Sequence, residues 1–243
     1  MATAAKNELA AFGAIPFSPA ALAKPKTNAD RGFAARLQFI STGSSKLVSS
    51  GKCKVGHYAL VDGDNTSDLG TAVTVIPLGR LDKAIDFSGD DCVIAFGEGT
   101  PEFDKIKQEV IDAGFDSGCM YGPVFLCYDV GTGQFVELFL NNASGRNEAE
   151  NINTFLPVSQ AASDQHFEQT GDRVAPRAPR ACILGSKEVT SKRGKKSYTY
   201  NVPTTAEAGQ VNVGTPPTAE QLTKAVNNFF KQAEPKESEG RDR

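Results

Sequence analysis

Short runs of β-type residues recur along most of the chain, and turn chemistry cuts each of them off. "ARLQFIS" (35–41) alternates, with Leu37 and Phe39 on one face. "KVGHYALV" (54–61) and "TAVTVIPL" (71–78) are rich in β-branched and aromatic residues, and the turn cluster "DGDNTSDLG" separates them. "CVIAF" (92–96) reads as a buried strand. "PVFLCYDV" (123–130) and "QFVELFL" (134–140) flank the hairpin signal "GTG". "ACILGSKEV" (181–189) and "KSYTYNV" (196–202) make a last hairpin across a basic turn. So many short strands leave many edges, which a closed or partly open barrel hides. The predicted class is mainly β with accessory helices, a β-rich α+β chain. An OB-like partly open barrel is the expected architecture, with a β-sandwich as the alternative.

Helix signals are few. Thr100 is an N-cap, Pro101 suits the first helical position, Gly114 stops the run, and Phe103, Ile106 and Val110 form one apolar stripe. "ASGRNEAENINTFL" reads as a short helix capped by Ser144, with Ile152, Phe155 and Leu156 inward. Thr218 and Gln221 form a capping box, and the helix they open buries Leu222, Ala225, Val226, Phe229 and Phe230. Residues 157–181 are polar, hold Pro157, Pro176 and Pro179, and are expected to be one long loop. The predicted division is a flexible N-terminal arm (1–33), a β-rich OB-like nucleic-acid-binding domain (34–233) and a disordered tail (234–243).

The 243 residues are 40% hydrophobic and 23% charged, as expected of an ordinary globular chain with a proper core. Net charge is −3, so any site for phosphates must be a local patch. The five cysteines (Cys53, Cys92, Cys119, Cys127, Cys182) show no Cys-x-x-Cys spacing, which fits a reducing cytoplasm better than a disulfide framework or a zinc pattern. The start lacks the layout of a signal peptide, and no apolar stretch is long enough to span a bilayer. The expected location is cytoplasmic (the host cytoplasm for a viral protein), with no membrane partner.

The chain contains no phosphate loop, no His-Glu-x-x-His and no Gly-x-Ser-x-Gly elbow. His57 lies in a strand-like run and reads as a packed or edge residue. Its spacing of four from Cys53 would suit a metal only on a helix. No catalytic residue, metal or cofactor is expected, and the chain is read as a non-enzyme.

Charge is distributed unevenly. Residues 82–116 hold ten acids against three lysines, a cluster suited to a solvated face, to divalent cations or to a carboxylate pair. Arg173 to Lys196 inverts this, with eight basic residues against one acid. Lys192, Arg193, Lys195 and Lys196 surround the last hairpin turn and are candidate phosphate contacts. Tyr198 and Tyr200 follow on one face of a strand, placed either to stack bases or to fill a core. The lysines equally suit protection of an edge hairpin. "SSKLVSSGKCKVGHY" repeats the arrangement upstream and adds Lys52, Lys54 and Tyr58 as a second contact. Arg146 is a candidate phosphate clamp or a cap for a neighbouring carboxylate.

"GKCKVGHYALVDGDNTSDLG", "VFLCYDVGTGQFVELFLNNASGRNEAENI" and "SKEVTSKRGKKSYTYNVP" resemble the OB-fold single-stranded-DNA-binding proteins of phage replication and recombination modules. The resemblance covers about residues 35–203. It implies sequence-tolerant binding of single-stranded DNA without catalysis, with replication or recombination proteins and further copies of the chain as partners. The family's acidic tail is replaced here by the mixed-charge "KESEGRDR". Two other function classes fit the same features: a virion or scaffold protein that wraps its neighbours with arm and loops, and a DNA-mimicking inhibitor of a host enzyme.

Overall fold

The computed structural model describes residues 35–233, apart from 44, 91, 194, 195 and 215. The expected arm and tail lie outside the described residues. Within them the chain is a β-rich α+β protein built on one curled, open mixed sheet, a half-barrel, and not on the two sheets of a sandwich.

The strands are β1 (Ala35–Phe39), β2 (Tyr58–Asp62), β3 (Asn65–Asp68), β4 (Val73–Asp86), β5 (Val93–Phe96), β6 (Cys119–Asp129), β7 (Gln134–Phe139), β8 (Cys182–Arg193) and β9 (Lys196–Glu207). Their order across the sheet is β3-β2-β1-β7-β6-β4-β8-β9, and β5 also pairs with β4. All neighbours are antiparallel except β1 and β7.

β4 is the spine, and one of its edges pairs with β6 from Val75 to Asp86. Pro77 has no N–H to give this ladder, and the register shifts between Pro77 and Gly79 to absorb the defect. The other edge takes β8 at Val73–Val75 and β5 at Lys83–Asp86.

Among the described residues five α-helices dress the sheet: α1 (Lys46–Ser49), α2 (Pro101–Ala113), α3 (Ala143–Asn153), α4 (Gln160–Thr170) and α5 (Ala219–Lys231). α2 and α5 begin as expected. The Thr100 hydroxyl accepts the Phe103 N–H, and both capping-box bonds of Thr218 and Gln221 form.

Two expectations are corrected. The cap of α3 is Asn142, whose side chain accepts the Gly145 N–H at 2.6 Å, and not Ser144. The expected loop 157–181 contains α4, capped by Ser159 and stopped by Gly171 at φ +79°. Of its residues only Ser163 is buried, so no apolar stripe marks it in the sequence.

Tyr58 and Leu60 of β2 pack with Cys182 and Leu184 of β8, strands far apart in the sheet order, which places this cluster inside the curl. Phe125, Val136, Leu138 and Ile152 of α3 fill the same interior. Truncating a fully buried ring such as Phe125 to alanine costs about 3–5 kcal/mol at sites of this kind. The other face of β4 and β6 packs Leu222, Val226 and Phe229 of α5. Gly79 makes room there, since a Cβ would lie 2.9 Å from the Phe230 ring. α2 seats Phe103 and Ile106 on Ala84, Ala95 and Cys119 at the far end of β4. No helix among the described residues is long and apolar enough to cross a membrane.

Candidate nucleic-acid interface

β8 and β9 pair over their whole length, from Cys182 with Glu207 to Arg193 with Lys196. β8 joins β4 only through Leu184. Past that point the hairpin runs on as a two-stranded ribbon, and its residues Lys187, Glu188, Thr190–Lys192 and Ser197–Thr199 are exposed. Lys195 lies outside the described residues.

The register sorts the ribbon into two faces. Lys187 with Val202, Val189 with Tyr200 and Ser191 with Tyr198 share one face. Glu188 with Asn201, Thr190 with Thr199 and Lys192 with Ser197 share the other. Lys192 therefore stands opposite the tyrosines. Tyr198 is 48% exposed and Tyr200 is half-buried, so neither belongs to the core. Their face continues down β8 to exposed Ile183, which lines a cleft of about 740 Å³ with Leu69, Val130 and Val211.

The segment with Lys52 and Lys54 meets the ribbon at its base. The Asn201 N–H donates to the Ser41 carbonyl at 3.2 Å. Gly56, at φ +80°, comes so close that a Cβ would lie 2.9 Å from Asn201 Oδ1 and 3.1 Å from Ser186 Oγ. The two basic segments thus adjoin. Lys52, Lys54, Lys187 and Lys192 are all exposed, and none forms an ion pair among the described residues.

Two candidates are corrected. Tyr58 is 1% exposed, its hydroxyl donates to the Gly185 carbonyl, and burial pushes its pKa up, so its ring is not available to a base. Arg146 caps no carboxylate among the described residues. Its guanidinium donates to the carbonyls of Asn141 (2.6 Å) and Tyr121 (3.3 Å) and lies 4.2 Å from the centre of the Tyr121 ring.

The basic segment also divides by role. Arg177 donates to the carbonyls of Leu156 and Asn153, and Arg180 to that of Thr154, so both serve the C-terminal end of α3. Arg173 stacks on Phe167. In these two segments the described cations without such partners are Lys52, Lys54, Lys187 and Lys192. On the polar ribbon face, strand alternation already sets Thr199 and Asn201 apart from the tyrosines, whereas Ser186 and Thr190 on β8 went unnoticed in the sequence. "SKEVTSKR" is polar on both faces apart from Val189, so no alternation marks them.

His57, expected to be a packed or edge residue, lies half-buried just ahead of β2 and not at an edge of the sheet, with Nδ1 2.7 Å from Asp68. Burial raises the pKa of Asp68, but the Gly70 amide and His57 outweigh it and hold the carboxyl below its usual range. In the acidic region, ligand atoms of Asp86, Glu109 and Cys119 lie within 4.8 Å of one another. The Cys119 thiol donates to Glu109 at 3.2 Å, and burial followed by that bond pushes its pKa up to about 12. The thiol is therefore protonated at neutral pH. All five cysteines are buried, and none forms a disulfide.

A scan against family models and searches of curated proteins and of solved structures found no match to the chain.

Proposed function

We propose that the chain binds single-stranded DNA along the β8–β9 ribbon, without cofactor or catalysis. One observation carries this reading: an exposed tyrosine and a half-exposed one share a face of a ribbon that projects from the sheet, with unpaired lysines on both faces and at its base. Bases stack on such rings whatever their identity, each contact contributing about 1–3 kcal/mol, and lysines follow the phosphates through counterion release. Lys192, Arg193, Lys195 and Lys196, with Lys52 and Lys54, neutralise the backbone, while Tyr198 and Tyr200 take bases. A half-barrel with a protruding ribbon suits a strand whose bases are splayed, whereas a duplex hides its base faces.

In this reading the protein covers transiently exposed strands during phage-type replication or recombination, in the cytoplasm of the host. Retention on immobilised oligothymidylate at moderate salt, compared with a duplex of equal length, checks it. Clear preference for the single strand is expected. Equal retention, or none, would rule the reading out.

A further inference from the structure

The ribbon and α2 occupy opposite ends of one strand. β8 meets β4 at Val73–Val75 and the ribbon continues past that end, while Ala84 and Asp86 at the other end carry α2 and β5. A strand of β4's length puts the two ends roughly 45 Å apart, before the ribbon adds its own reach. Charge divides the same way, acidic over 82–116 and basic over 173–196. A ribbon therefore cannot reach the α2 of its own chain, but that of a second copy can.

The outward side of α2 has the composition of an interface. Ile111 is 58% exposed, an unusual placement for an isoleucine on a helix whose Phe103, Ile106 and Val110 pack inward. Asp104, Gln108 and Lys107 flank it, Lys107 being tied to Glu98, and Asp112 and the exposed Lys105 lie further round toward solvent. An apolar centre with a charged rim is how a docking surface is built. The ribbon supplies the complement, because Tyr198 and Lys187 share one of its faces.

We infer that the outward face of α2 docks the ribbon of a second copy of this chain, with Ile111 against Tyr198 and the Asp104 carboxylate, about two helical turns away, facing Lys187, about four strand residues away. The contact is head-to-tail: each copy keeps one ribbon and one α2 free, and the assembly grows until it closes or ends. The acidic face stands where phosphates would, so a single strand competes for the ribbon. This last step rests on the proposed function; the docking itself does not.

Sedimentation velocity of the full chain without nucleic acid tests it, at about 20 mM and about 500 mM salt, which bracket weak and strong screening. Species larger than a monomer are expected at low salt and should dissolve at high salt. Asp104→Lys and Lys187→Glu should each sediment as monomers. Mixing the two variants should restore association, because the reversed charges match. Ile111→Ser keeps every charge and should weaken association by about tenfold or more. Unchanged thermal midpoints establish that the variants fold. A natural chain that is monomeric at low salt, or α2 variants that associate as it does, would overturn the inference. Added oligothymidylate should dissolve the assembly. If the assembly obeys the charge swaps but resists the oligonucleotide, the docking stands and the single-strand reading of the ribbon fails.

Discussion

The Tyr58 hydroxyl donates to the Gly185 carbonyl at 3.0 Å, joining residues 127 positions apart. Together with the bond from Asn201 to Ser41 it ties the two ends of the curled sheet at the point where the ribbon departs. Tyr58→Phe removes that bond and should cost about 0.5–1.5 kcal/mol of stability. Tyr58→Ala also empties a core site and should cost about 3–5 kcal/mol. Urea unfolding measures both. Neither variant should change single-strand affinity once the folded fraction is accounted for.

The ribbon tyrosines should behave differently from Tyr58. Tyr198→Ala should lower single-strand affinity by about 1–3 kcal/mol and change stability by no more than about 0.5 kcal/mol. Tyr200 is half-buried, so Tyr200→Ala should lose affinity and some stability together. Titrating both variants with an oligonucleotide and with urea gives the comparison. A Tyr198→Ala variant that unfolds easily yet binds normally would return both rings to a structural role.

Arg146 is a positioning residue for the start of α3, through the Asn141 and Tyr121 carbonyls. Arg146→Met should destabilise the fold by about 1–3 kcal/mol, since it leaves those acceptors without their donor. The salt dependence of single-strand binding should not change. A flatter salt dependence in this variant would mean that the guanidinium reaches a phosphate after all.

Acid should remove one local contribution to stability. Asp86 accepts from the Ser88 hydroxyl (2.6 Å) and amide (2.7 Å), and these bonds hold its carboxyl below the usual range. A lowered folded-state value stabilises the fold above the unfolded carboxylate's range, and the gain is lost as pH falls through the folded value. Ser88→Ala should therefore be less stable than the natural chain at neutral pH, with the gap narrowing in strong acid. Denaturant titrations at two pH values measure the gap, and a gap that widens in acid would refute the assignment.

What the sequence revealed depended on how local the cause was. α2 and α5 were legible because their caps, stops and apolar stripes lie within a dozen residues. β3 was hidden inside "DGDNTSDLG", since a polar edge strand buries no face and shows no alternation. α4 was hidden for a similar reason, although Ser159 and Gly171 delimit it. Tyr58 and Tyr198 follow basic segments of the same kind, yet one is core and the other is exposed. What separates them is β8 folding over Tyr58, a contact with no local signature. Arg146 was ambiguous for the same reason: its acceptors are carbonyls, which every residue carries.

The central claim is that the ribbon binds the phosphates of a single strand. Replacing Lys192, Arg193, Lys195 and Lys196 with alanine, and following fluorescence anisotropy of labelled oligonucleotides across a salt series, tests it most directly. Affinity should fall to a similar degree for every base composition, and the slope of log affinity against log salt should flatten by about 0.7 for each lost contact. An unchanged slope, with the variant folded, would contradict it.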